Sequence, residues 1–288
     1  MKNWKCCVAF VLLLSLYACS GNIICVKKSL VSGTFDKEWA QGMAVYKDNA
    51  FLLNNTGLCR IYDLKSDSVI RSFKLGSYHK KNHANNASFG IEFSQKKTIY
   101  PVCYISEANS PYKCYVESIS KQEAKLVQII QYQIDGIPQV VHDWVVDKKR
   151  KKIYAITQDY WKNKDSEDYI NYIKAFSLPL ISEGDVIFSE KDVEEEFCVS
   201  FPHLLQGATI KKDKLYILSG LTDSQKNRKG YKKAIVVIDL KRKEMEKIIS
   251  LQGIIQEEPE GIDFWKNRLL IFCGPKGLYE LKLNGQNE

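Results

Sequence analysis

The chain is short of several things, and each shortage removes a class of protein. It has four His in 288 residues, and its nine Cys fit no zinc-ligand spacing, so no metal motif is visible along the sequence. Beyond the N-terminal segment no apolar run is long enough to cross about 30 Å of hydrocarbon as a helix. Gly (16) and Pro (7) are ordinary in number, and no low-complexity linker divides the chain. Charge of a single sign is missing as well: Lys and Arg total 42 against 34 for Asp and Glu. The small excess is spread out except at Lys148-Lys149-Arg150-Lys151-Lys152, which falls where a turn between strands is expected. A basic turn is a solvated tip, and no nucleic-acid partner is expected of an exported chain.

Export is read from the N-terminus. Met1-Lys2-Asn3-Trp4-Lys5 is basic, residues 7–17 are almost wholly apolar, and Leu16-Tyr17-Ala18-Cys19 follows. The apolar run is too short for a lasting span and reads as a secretory signal peptide over residues 1–18. Leu16-Tyr17-Ala18-Cys19 resembles the lipobox of bacterial lipoproteins. The resemblance implies cleavage before Cys19, acylation of Cys19 (palmitate among the chains), and a membrane partner reached through that lipid anchor. Tyr17 is bulkier than the residue usual at its place. Ser20-Gly21-Asn22 reads as a short tether. Two or more acyl chains would hold the protein stably at the envelope, facing the periplasm or the cell surface. With Lys2 and Lys5 removed, the formal charge falls from +8 to +6 over 270 residues.

A phrase repeats through the mature chain: Gln41-Gly42-Met43-Ala44-Val45, Phe89-Gly90-Ile91-Glu92-Phe93, His142-Asp143-Trp144-Val145-Val146, Gln206-Gly207-Ala208-Thr209-Ile210 and Glu260-Gly261-Ile262-Asp263-Phe264. The Gly or Asp143 positions lie 48, 53, 64 and 54 residues apart, the signature of one copied supersecondary unit. After each phrase come a polar turn, a second strand, and a third with period-2 alternation such as residues 59–64 and 234–240. A fourth strand is expected at 70–75, 126–132, 186–189 and 246–251. The longest interval is expected to carry two polar loop insertions, Asp159 to Asp168 and Glu190 to Glu196. The fifth unit runs out of chain after Leu283, while residues 23–30 form a strand with no unit of their own. The expected fold is therefore all-β: a five-bladed β-propeller over residues 23–284, closed by the N-terminal strand completing the last blade, with a tail at 285–288. A six-bladed propeller is the alternative.

The Gly-hydrophobic-acidic-hydrophobic phrases resemble those of a broad propeller superfamily that includes YncE-like, gluconolactonase-like and glutaminyl-cyclotransferase-like proteins. The whole is similar to lipid-anchored propellers of Gram-negative gut bacteria. The resemblance covers residues 23–284 and implies fold, not activity. The complete acidic metal set of the lactonases and the longer signature phrases of the cyclotransferases are absent.

Loops leading into the inner strands should gather at one mouth of the central channel. Polar residues there are Gln41, His83, Asn85, Asn86, His142, Asp143, His203, Gln206, Glu257, Glu258 and Glu260. Three readings are open. These groups line a wet channel and satisfy loop backbone. Or they bind a small polar ligand of sugar or peptide type, or an envelope protein, with Tyr104, Trp144, Trp161 and Trp265 as stacking faces. Or they catalyse: a hydrolase or lactonase using His142 or Glu260 as base with Asp143 orienting, an Asp143–Glu260 pair, or a divalent metal on His83, His142 and His203. Cys103 and Cys114 lie on one hairpin and would form a disulfide if directly opposite. Asn54-Asn55-Thr56 and Asn86-Ala87-Ser88 fit the glycosylation sequon, a weak signal in a bacterial lipoprotein. Asp63 and Asp239, at equivalent strand ends, are expected to accept turn amides and to stay outside any site.

Overall fold

Five strands of the chain lie nearest one axis, and that sets the architecture. They are Ala40–Tyr46, Ala84–Phe89, Asp143–Asp147, Leu205–Lys211 and Gly261–Trp265. In the computed structural model each is the inner strand of an antiparallel sheet, and each touches the inner strands on either side, so the series closes into a ring around one axis. The structure describes residues 23–29, 31, 40–95, 98–121, 123–159, 169–201, 204–221, 232–274 and 277–283. The signal segment, Cys19, the tether, His203, Trp161, most of the Asp159–Asp168 stretch and the C-terminal tail lie outside the described residues. Among the described residues no helix is long and apolar enough to cross a membrane.

The fold is a five-bladed β-propeller. Five sheets, not six, make the ring. The last blade is completed by Ile23–Ser29, which pairs antiparallel with Leu278–Leu283, Ile23 facing Leu283 and Ser29 facing Leu278. That closure removes an open sheet edge and ties both ends of the domain into one cooperative unit. Apolar clusters fill the spaces between adjacent blades: Tyr154, Ile173, Phe201, Leu215 and Val236 between the third and fourth, Tyr216, Ile235, Leu269 and Leu281 between the fourth and fifth. The inner strands start at the mouth and end at the opposite face, called the foot below.

The structure corrects four expectations. In the second blade, Phe89-Gly90-Ile91-Glu92-Phe93 does not begin the inner strand; that strand ends at Phe89, and Ile91 and Phe93 are exposed. Asn86 takes the place held by Gly42, Gly207 and Gly261 in other blades. In the third blade, the outer strand is Glu195–Phe201, with Val199 and Phe201 buried by alternation, so Glu195 and Glu196 belong to a strand instead of a loop. Val186–Phe188 pairs in parallel with Ile130–Tyr132 on the second blade. Gln128 holds it there, donating to the carbonyls of Leu180 at 2.9 Å and Gly184 at 2.6 Å. Thus the long connection of one blade covers the edge of its neighbour. The Cys103–Cys114 bridge is also absent: register sets Cys103 against Glu117 and Cys114 against Ser106, and both thiols are free and buried. Asn54 and Asn86 are wholly buried, in keeping with the weakness of the sequon signal. Asp63 and Asp239 behave as expected, each accepting two amides of its own turn at 2.8–3.0 Å.

Candidate functional site at the axial mouth

Close backbone approach seals the axis just below the mouth. A Cβ on Gly42 would lie 2.7 Å from Asn86 Cα, and one on Gly261 would lie 2.7 Å from Met43 Cβ. At Gly207 the nearest neighbours are the Glu260 carbonyl at 3.3 Å and Asn86 Oδ1 at 3.5 Å. Glycine is needed at these positions because inner strands converge. Asn86 fills what space remains: its Nδ2 donates to the Ala208 carbonyl at 3.0 Å and to Trp144 at 3.5 Å, tying three blades together. Polar side chains ring the axis on the mouth side of this plug, the arrangement called the cup below, and a separate cavity lies beneath it.

Bulges begin the inner strands of the first, second and fourth blades, at Gln41, Asn85 and Gln206. A bulge re-aims a side chain and interrupts the ladder, which turns these amides across blade boundaries. Asn85 Nδ2 donates to Asp143 Oδ1 at 2.9 Å. Gln206 Nε2 donates to the Gly220 carbonyl at 2.7 Å and to Glu258 Oε1 at 3.1 Å. His142 Nδ1 accepts the Gln158 amide at 3.3 Å, which leaves its ring proton on Nε2. The His83 amide donates to the Glu107 carboxylate at 3.1 and 3.2 Å.

Burial governs the charge of the cup. It lifts the Asp143 carboxyl to about 7, opposed in part by the Asn85 amide. It drops His142 to about 4, with the neighbouring His83 adding to the effect, and lowers His83 too. Glu260 rises well above the usual carboxylate range, through burial first and Glu258 second. At neutral pH the imidazoles are uncharged and Asp143 is near half-ionised, while burial works against charge on Glu260. Two buried acceptors of the cup, Gln41 Oε1 and Asp143 Oδ2, have no donor.

The structure brings Gln41, His83, Asn85, Asn86, His142, Asp143, Gln206, Glu258 and Glu260 to the mouth end of the ring, while His203 lies outside the described residues. Asp143 does not orient His142; its partner is Asn85, and the histidine's is Gln158. Adjacent residues of a strand point to opposite faces, which is why. Trp144 and Tyr104 offer no stacking face either, being fully buried between the second and third blades. Trp265 stands at the foot, its Nε1 donating to Asp48 at 3.1 Å. Among the described residues no three or more His, Cys, Asp or Glu side chains gather as a metal site.

Sequence reasoning missed a supporting ring. Asn54, Ser106, Gln158 and Ser219 stand at or one residue before the ends of the second strands of four blades and are buried. Gln158 Oε1 accepts the Leu205 amide at 3.3 Å, and Ser106 Oγ accepts the Trp144 amide at 2.7 Å. A polar residue recurring at that strand end was the signal available.

These features define a closed β-propeller with a plugged axis and a polar cup. No protein-family model matches the chain, and no curated protein matches it in sequence. In three dimensions it is similar to the glutaminyl cyclase of Myxococcus xanthus: TM-score 0.51, 9% identity, 90% of this chain and 95% of that one covered. At that identity the likeness shows the propeller fold alone.

Proposed function

We propose that the chain is a lipid-anchored protein of the bacterial envelope that binds a small polar ligand, of sugar or peptide type, in the axial cup. One observation carries the reading: Gln41 Oε1 and Asp143 Oδ2 are buried acceptors without donors at the mouth. Such atoms cost about 1–3 kcal/mol each unless a donor arrives, so a ligand bearing hydroxyl, amide or ammonium hydrogens is favoured. Calorimetric titration of the mature chain with a monosaccharide, disaccharide and dipeptide panel tests it. One member is expected to bind, and Gln41→Ala or Asp143→Asn to weaken it about tenfold or more. No binder in the panel, or equal affinity in both variants, overturns the reading. Mass spectrometry of envelope-purified protein checks the anchor, through acyl mass on a peptide beginning at Cys19.

A second reading is a hydrolase or lactonase at the same cup. It is favoured by two buried carboxyls at one mouth, Glu260 shifted well above the usual carboxylate range and Asp143 titrating near 7, the kind of pairing that acid–base chemistry uses. Turnover of a lactone or glycoside, lost in Glu260→Gln, would support it. The triple variant His83→Ala, His142→Ala, His203→Ala, with elemental analysis of the wild type, tests divalent metal uptake at the mouth.

A further inference from the structure

The foot of the propeller is built differently from the mouth. The turns that follow the inner strands carry Lys47, Lys148, Lys149, Lys151, Lys212 and Lys266, with Lys211 at the end of its strand. Several cations nearby are neutralised: Lys149, Arg150 and Lys241 share Asp213, and Lys65 pairs with Asp48. Five are not. Lys47, Lys148, Lys151, Lys212 and Lys266 are exposed and form no salt bridge among the described residues, though Lys148 and Lys266 feel Asp263 and Asp48 at longer range. Lys47, Lys151, Lys212 and Lys266 occupy the left-handed region, with φ of 54°, 53°, 58° and 54°. Gly or Asn is less costly there, so lysine is kept at the expense of local strain. Two of them lie over aromatic rings, Lys47 on Tyr46 and Lys266 on Trp265.

The chain enters the domain on this side. Ile23 faces Leu283, and a cavity of about 490 Å³ next to them is lined by Val26, Trp265 and Leu283 together with Lys266, Arg268 and Lys282. Ile24 and Val26 are exposed large apolar residues on the same strand, 52% and 46% accessible. Three residues separate Cys19 from Ile23. At no more than about 3.6 Å per residue, that tether spans on the order of 11 Å. An acylated Cys19 thus forces the bilayer surface to within roughly a Debye length or two of the foot.

We propose that the foot is a membrane-docking face: its unpaired lysines engage the phosphates of an anionic lipid surface while the cup faces away from the bilayer. The inference rests on the lipoprotein reading for the nearness of the membrane, and on the charge arrangement for the face. Each lysine close to an anionic bilayer strengthens partitioning roughly fivefold, which supplements the acyl chains and fixes orientation.

The test uses residues 19–288 with Cys19→Ser, which contain every strand of the ring. Co-sedimentation is measured with phosphatidylcholine vesicles, with and without phosphatidylglycerol. Binding is expected only when phosphatidylglycerol is present and should fall at high salt. The set Lys47→Gln, Lys148→Gln, Lys212→Gln, Lys266→Gln should weaken it at least about tenfold. A control set on the mouth side, Lys74→Gln, Lys80→Gln, Lys81→Gln, Lys113→Gln, should change it less than about twofold. Circular dichroism verifies that both sets fold. Absence of a phosphatidylglycerol dependence, or equal loss in both sets, overturns the docking face. The anchor is judged separately by the acyl mass on Cys19. An unacylated Cys19 with foot-dependent binding sinks the anchor and leaves the face standing; an acylated Cys19 with no lipid preference does the reverse.

Discussion

The mouth and the foot are the two ends of the same five strands, and they hold their polar groups in opposite ways. At the mouth, carboxyls and imidazoles are enclosed, so burial drives them towards neutral forms: Asp143 up to about 7, His142 down to about 4. At the foot, cations sit on exposed turns in contact with water. The cause is geometric. Bulges and loops at the start of each inner strand fold over the axis, whereas the tight turns at its end project side chains outward. A small cavity of about 180 Å³ lies below the plug, lined by Ser88, Thr209, Asp263, Lys148 and Lys212 among others. Even there the half-buried Asp263 is satisfied, accepting from Thr209 at 2.8 Å and from the Phe264 amide at 2.8 Å. Unmet hydrogen-bonding capacity at the axis thus sits in the mouth, and unmet charge sits at the foot.

The plug that divides the two ends is where the largest effect is expected. Gly42→Ala or Gly261→Ala would drive a methyl to 2.7 Å from Asn86 Cα or Met43 Cβ. Either should cost about 3 kcal/mol or more in urea unfolding, because backbone must move. Unchanged stability would mean the strands do not converge as described. Asn86→Ala removes donors to two blades and leaves the Ala208 carbonyl unpaired. A loss of about 2 kcal/mol is expected by the same measurement.

Next comes a pH effect confined to the mouth. Asp143 has a folded pKa of about 7, above its unfolded value near 4, so the folded state binds more protons between those limits. Its contribution is neutral below about pH 4, falls through the window, and is fully unfavourable above pH 7. His142 acts in the other direction: with a folded pKa of about 4, it makes stability rise with pH between about 4 and 6.5. The two nearly cancel in the wild type. Asp143→Asn should expose the histidine alone, making stability climb with pH and gain about 2 kcal/mol over wild type at pH 8 relative to pH 5. A pH-independent difference would show that Asp143 is solvated. The smallest effect belongs to the foot: Lys47→Asn or Lys212→Asn, at left-handed positions, should leave stability within about 0.5 kcal/mol of wild type or raise it.

Ring closure was readable before any coordinates because the accounting was simple: one unit lacked a strand and one strand lacked a unit. The third blade misled because its inner hairpin is followed by a long connection. A short apolar run, Val186–Phe188, looks like the next strand locally, but it is more stable beside Ile130–Tyr132 of the neighbouring blade. The second-blade phrase misled for another reason. Gly90 matches the repeat by type, yet the position at the axis is held by Asn86, whose amide replaces glycine's closeness with bonds across the ring. Trp144 shows the limit for the site: it is the second residue of an inner strand, but the face it takes is the blade interface.

Sequence alone determined the number of blades, the strand that closes them and the polar residues that start each inner strand, because hydrophobic period and repeat spacing are local and survive without partners. Tertiary structure decided which of those polar groups meet, which stay unsatisfied and which lose their charge. Those properties depend on neighbours 58 to 122 residues away along the chain, and on how much water the converging strands exclude.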